Sequence, residues 1–505
     1  MRRLTTLGIA VSLALVAAPA TATATSTAAP PVTELGGTLA NGATWAAEVP
    51  AGWNGKLVLY SHGFRPGPDN PAWDPGFDST AQALTDRGFA VAASSYASAG
   101  WALGTAAQDQ LDTLAAFSAA AGEPDRTIAF GTSMGGLVSS LIAETPDSGV
   151  DGAVSTCGLL GGGINLNNYQ LDGIHALAEL LLPGQDLQLT GFRTSAEAGA
   201  TITALMQAVQ QAQATPEGRA KVALAAALMN TPTWFSGESA PDRRDFAAQQ
   251  EAQYNWLLQT IPFVVGSRVS IVTAADGDSG WNQGVDYRAL LQQSAQRQQV
   301  DALYRTAGLD LKRDLRTLTA AADIEPDEEA LDWMDRTSTP QGDLQIPVLT
   351  MHTLADILAP VEYMEEYAET VREARATPLL RQSFVERTGH CTFTDAERVA
   401  AVLAMDERLD TGRWANLADP RQLDRRAESL GLGEADFIQY KPAEFINDRV
   451  WNPGTGHGHG PGKGHGPGKG HGPGKGHDPG KGSGHGPGKG SGHGPGKGNG
   501  PGHGR

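Results

Sequence analysis

One short stretch, Thr127-Ile128-Ala129-Phe130-Gly131-Thr132-Ser133-Met134-Gly135-Gly136, limits what this chain can fold into more than any other. Thr127 to Phe130 reads as a strand, Leu137 to Glu144 as a helix, and the turn between them has the form G-x-S-x-G. A serine there must sit on a strained turn that lifts its hydroxyl above the sheet edge, and the flanking glycines leave room for that turn. The neighbouring sequence keeps the same rhythm. Lys56 to Tyr60, Phe89 to Tyr96 and Asp151 to Cys157 read as further strands, with helical stretches at Ser79 to Arg87 and from Gln108 onward. Strands alternating with helices predict a largely parallel sheet covered on both faces, an α/β fold.

The alternation lapses after Gly163 and resumes near Ile346. The intervening sequence is rich in Ala, Gln and Leu, with helical runs at Ser195 to Ala214, Arg243 to Thr260, Tyr287 to Ala307 and Ile324 to Arg336, and a patch at Phe263 to Val272 that reads as extended chain. A structureless loop of that length is improbable, so residues 161–342 are expected to form an inserted, mainly helical cap. It would divide a core of residues 36–160 and 343–451. In the second part, Pro347 to His352 and Arg381 to Val385 read as strands, Val361 to Ala374 and Thr394 to Met405 as helices, and Phe437 to Trp451 as a closing segment that packs back on the core.

Both ends differ in composition from this body. Arg2 and Arg3, an apolar run from Leu7 to Ala18 and small residues ending at Ala24 form a signal-peptide pattern over residues 1–24, and residues 25–34 read as a leader. That apolar run is too short for a stable span, and no later segment is uninterruptedly apolar for about 18 residues, so no membrane span is expected and the protein should be secreted. After Trp451, residues 452–505 are near-perfect Gly-His-Gly-Pro-Gly-Lys repeats, expected to be a disordered tail because almost no apolar side chain is present to offset the entropy of folding. Its histidines offer metal binding or attachment to an anionic surface, beside the simpler reading of a flexible spacer. Formal net charge is −18, and about −26 once the basic ends are set aside. So acidic a body excludes nucleic acid as a partner, because phosphate binding needs a dense basic surface.

A serine hydroxyl is a poor nucleophile without a base, and the base needs a carboxylate to orient it. Outside the tail there are four histidines: His62, His175, His352 and His390. His390 follows the last expected strand and is the candidate base. His62 and His352 sit at strand ends and read as structural, and His175 as an ordinary cap position. Asp356 lies in the turn after the strand Pro347 to His352 and is the candidate acid; Asp343, Glu365 and Glu366 are rivals whose positions fit solvated surface charge better. Backbone amides of Met134 and of Phe64 or Gly63 are placed to stabilise an oxyanion. No residue set calls for a cofactor or metal. Cys157 and Cys391 make one possible disulfide, favoured by export, with two separate buried thiols as the alternative. Trp234, Phe235, Tyr254, Trp256, Trp281 and Tyr287 are cap aromatics that would either line a substrate pocket or fill the cap core.

Ser61-His62-Gly63-Phe64, Gly131-Thr132-Ser133-Met134-Gly135-Gly136, the strand-to-Asp356 turn and Gly389-His390-Cys391 together resemble the α/β-hydrolase superfamily. The resemblance covers about residues 36–160 and 343–410. It implies an eight-stranded, mostly parallel sheet, a triad of Ser133, Asp356 and His390, and a lid where the insertion falls. The expected function is a serine hydrolase cleaving small-molecule or polymer carboxylic esters through an acyl-enzyme. A serine exopeptidase of the same fold is the second reading, and a catalytically silent binding protein the third.

Overall fold

The central strands of this chain are buried along nearly their whole length, and the sheet is organised around them. The computed structural model describes residues 31–451; the expected signal segment and repeat tail lie outside the described residues. Nine strands form one sheet: β1 (Val32–Thr38), β2 (Thr44–Pro50), β3 (Lys56–Ser61), β4 (Ala90–Ser94), β5 (Arg126–Thr132), β6 (Gly152–Thr156), β7 (Val348–Ala355), β8 (Leu380–Thr388) and β9 (Phe437–Ile438). Their order is β1-β2-β4-β3-β5-β6-β7-β8-β9. From β4 to β8 every pairing is parallel. β1, β2 and β9 are antiparallel additions at the two sides. The expected eight strands become nine because the closing segment adds Ile438 and Phe437 opposite Phe384 and Val385. At the other end the sheet begins at Val32, inside the stretch read as a leader.

Both faces of the parallel strands are covered, which explains their near-continuous apolar sequences. Along β3, Val58 and Tyr60 pack with Ala81, Ala396 and Val399 of the helices Asp78–Thr85 and Asp395–Thr411. Leu57 and Leu59 face the opposite way, toward Phe117 of the helix Ala106–Ala121. With six parallel strands side by side, their carboxyl ends share one edge, where ligands bind in open α/β sheets.

Between β6 and β7 lie helices Gly162–Leu181, Ser195–Ala212, Pro216–Leu228, Phe246–Ala275, Tyr287–Gln293, Arg297–Ala307, Leu311–Ala320 and Glu328–Ser338. The start at Ser195 is fixed by a capping box, the Thr194 hydroxyl accepting from Glu197 N–H while the Glu197 carboxylate accepts from Thr194 N–H. The run Tyr287 to Ala307 is two helices, broken at Ser294. Phe263 to Val272 is not extended chain but part of the 30-residue helix Phe246–Ala275. Its β-branched residues suggested a strand, yet Ile261, Val264, Val265, Arg268, Ile271 and Val272 fall at helical spacing and are buried, and this packing overrides both propensity and the helix-breaking Pro262. By length and composition alone this helix is long and apolar enough to cross a membrane, as core helices also can be, and Thr260, Ser267 and Arg268 interrupt its apolar run. It lies among the other helices, and Phe263 is its one exposed large apolar residue.

The closing segment is held by a buried polar cluster. Asn447 Nδ2 and Arg449 Nη1 donate to Asp172 Oδ2 at 2.7 and 2.6 Å. Tyr287 OH donates to Asp172 Oδ1 at 2.9 Å. Phe445 sets its ring edge against Tyr363.

Candidate active site

Ser133 stands between β5 and the helix Met134–Ala143 with φ 59 and ψ −122. A side chain in that region is strained, and two glycines make the turn possible. A Cβ on Gly131 would collide with Gly135 O, and one on Gly135 would collide with Ser61 O and His62 O. The turn therefore packs backbone against backbone beneath the serine. Met134 opens the helix, so its N–H has no intrahelical partner and points out at the serine end. Gly63 follows β3 and approaches so closely that a Cβ there would lie 3.1 Å from Ser133 Cβ. The Gly63 and Phe64 backbone, the Met134 amide and the Ser133 hydroxyl thus meet at one place.

His390 comes from the loop after β8 and Asp356 from the end of β7. His390 Nε2 is 2.7 Å from Ser133 Oγ, and Nδ1 lies 2.8 and 2.9 Å from the two Asp356 oxygens. Asp356 Oδ1 also accepts from Leu358 N–H and Ala359 N–H at 2.8 and 3.0 Å, which fixes the carboxylate plane. Burial pushes this carboxyl up, but the charge and hydrogen bond of His390, with His352 and Ala359 N–H, outweigh it and hold the group below the usual range. Gly389 N–H donates to Ala355 O at 2.8 Å and Thr353 Oγ1 to Gly389 O at 2.8 Å, stitching the histidine loop to β7. Cys391 is joined to Cys157 at the end of β6, with Cα atoms 5.3 Å apart. Cys157, Cys391 and His390 lie together, but both sulfurs are spent in the disulfide and are not free metal ligands.

The other sequence candidates lie elsewhere. His62 is buried, its Nδ1 donates to Gly63 O at 2.7 Å, and desolvation with the nearby Arg65 charge lowers its pKa to about 4. His352 is wholly buried, with Nδ1 donating to Thr353 O. His175 is not an ordinary position: it is buried, bonded to Leu318 O and stacked on Tyr287. Asp343 is exposed, as solvated charge should be, whereas Glu365 and Glu366 are half-buried. Burial, then the charges of Asp448 and Glu369, pushes Glu366 up to about 8.

A cavity of about 400 Å³ opens over Ser133 and His390. Its aromatic walls are Phe64, Trp101 and Phe263. None of the six aromatics chosen from the sequence lines it; Trp256, Trp281 and Tyr287 are buried. Trp101 and Phe263 were missed because nothing local marks them. Trp101 follows β4 on a loop, and Phe263 reaches the site only through the packing of its long helix.

No protein-family model matches the chain. Over 455 residues, 83% of this chain and 97% of the relative, it is 31% identical to a protein described as o-phthalyl amidase from Xanthobacter agilis. Among solved structures it is similar to feruloyl esterase B from Aspergillus oryzae, at 14% identity and TM-score 0.37 over 75% of this chain and 81% of that one. It is also similar to acylaminoacyl peptidase from Pyrococcus horikoshii, at 10% identity and TM-score 0.32 over 72% and 37%. The fold is an α/β one built on a mostly parallel nine-stranded sheet. The chain belongs to the α/β-hydrolase superfamily, and within it to the family of the phthalyl amidase.

Proposed function

We propose that this protein is an exported serine hydrolase that cleaves carboxylic-acid derivatives through an acyl-enzyme, with Ser133 as nucleophile, His390 as base and Asp356 as its orienting acid. The observation that carries this reading is the line from hydroxyl to imidazole to buried carboxylate at 2.7 and 2.8 Å. Ser133 Oγ attacks the carbonyl carbon as its proton passes to His390 Nε2, and Asp356 steadies the imidazolium. The oxyanion is met by the amides of Met134 and of Phe64 or Gly63. His390 then protonates the leaving alcohol or amine, the bond to carbon breaks, and water repeats the sequence to release the acid and restore Ser133. The helices between β6 and β7 act as the cap, since Phe263, Ser267 and Ile271 wall the cavity. The basic, apolar N-terminus and the disulfide support export.

Esters are the substrates expected from sequence. Amides are a second reading, favoured by the 31% identity to an amidase over nearly its whole length. The test is incubation of purified protein with p-nitrophenyl esters of graded length beside acyl, aminoacyl and dipeptidyl nitroanilides. Turnover that disappears in Ser133→Ala, with a fluorophosphonate adduct mapped to Ser133 in the wild type, is the expected result; hydrolysis persisting in Ser133→Ala refutes the mechanism.

A further inference from the structure

Gln170 lies on the helix Gly162–Leu181, is 4% exposed, and lines the cavity over Ser133. Among the buried side-chain nitrogen and oxygen atoms of the described residues lining that cavity, only Gln170 Oε1 has no hydrogen-bond partner. Its neighbours are committed. Asp74 accepts from Tyr60 OH and Gly76 N–H, Ser267 Oγ donates to Val264 O, and Thr132 Oγ1 pairs with Thr156 Oγ1.

The orientation of the Gln170 amide follows from its one bond. Tyr169 OH donates its proton to Leu358 O at 2.9 Å, so toward Gln170 the Tyr169 oxygen can only accept. The group facing it is therefore the amide nitrogen, at 3.4 Å, and the carbonyl oxygen is the end left over. A bond that long holds the amide weakly, and the last torsion of a glutamine is broad; Oε1 itself is buried, so a ligand in the cavity reaches it as that torsion turns. An unpaired buried acceptor is unfavourable unless something completes it. What completes an acceptor is a donor.

We propose that Gln170 is a specificity-determining residue that accepts a hydrogen bond from the N–H of a carboxamide substrate, making this an amidase site selective for N–H amides with an aromatic acyl group set against Phe64, Trp101 and Phe263. The proposal rests on the acyl-enzyme reading above and names its substrate class. An ester offers no N–H, so it leaves the buried acceptor unpaired, and sites built around such a bond discriminate strongly against the analogue lacking it.

The experiment uses the full chain and three benzoyl substrates: the anilide, the N-methylanilide and the phenyl ester. In Gln170→Met, which keeps the volume and removes the acceptor, the anilide-to-ester ratio of kcat/KM is expected to fall about 10- to 100-fold. Gln170→Glu, which retains an acceptor oxygen, should restore most of it. The wild type should prefer the anilide to the N-methylanilide, a comparison that needs no variant to fold. A ratio that does not move in Gln170→Met, or a wild type indifferent to N-methylation, overturns the assignment. Ser133→Ala separates the two levels: activity lost there with an unmoved ratio refutes the role of Gln170 alone, and activity persisting there refutes the acyl-enzyme beneath it.

Discussion

Opening the Cys157–Cys391 bridge should cost both stability and turnover, by amounts that can be worked out. The bridge spans 234 positions, and closing so long a loop is worth roughly 5 kcal/mol in the chain-entropy model. Unfolding entropy of about 2.1 cal/mol/K per residue, over roughly 420 folded residues, converts this to about 6 °C in melting temperature. The catalytic effect has a separate origin. Cys391 adjoins His390 and holds φ 61, a left-handed conformation that a non-glycine residue leaves readily when released. His390 must stay 2.7 Å from Ser133 Oγ, and a drift of about 1 Å in such a contact lowers rates about 10²-fold. The assay compares wild type with Cys157→Ala/Cys391→Ala under oxidising conditions, by calorimetry and by kcat/KM on one activated ester. A double variant that melts within about 1 °C of wild type and keeps its kcat/KM would refute both the loop-entropy argument and the positioning argument.

Asp356→Asn is expected to lower kcat about 10⁴-fold with the fold intact by circular dichroism. Leu358 and Ala359 N–H would keep the Asn oxygen, leaving its NH₂ against His390 Nδ1, and the imidazole would then carry its proton at Nε2, where it cannot accept from Ser133. A loss under about tenfold would remove Asp356 from the orienting role. Glu366 makes a pH prediction of defined sign. Its folded pKa, about 8, lies above its ordinary 4.5, so the stability it contributes is present below pH 4.5 and lost as pH rises through 8. The wild-type melting temperature should fall between pH 5 and 9, and Glu366→Gln should flatten that fall; an unchanged profile by scanning calorimetry refutes the assignment.

What sequence conveyed well was local. The β5–Ser133–helix unit was legible because strand, turn glycines and helix are contiguous, and β3 because its burial on both faces leaves an unbroken apolar run. β1 and β2 were not: β1 is largely exposed, carries Gly36 and Gly37, and exists because each residue finds a partner on β2. Phe263 to Val272 misled because β-branched residues suit strands until a neighbouring helix buries them at a period near 3.6. At the candidate site, chain order pointed to Ser133, Asp356 and His390, and the structure brings these three together. Gln170 was illegible because its significance is a missing partner, and sequence carries no record of who is absent.

The helical block between β6 and β7 has a consequence for how the molecule is made. Roughly 190 residues separate the two strands, which at ~5–20 residues per second puts about ten to forty seconds of synthesis between a strand and its neighbour. Throughout that interval β6, every residue of which is buried in the finished fold, is an unpaired edge, the kind of surface that recruits other chains. Whatever shields nascent polypeptide must cover it until Val348 arrives. Hydroxyl and imidazole, 257 positions apart, cannot meet earlier.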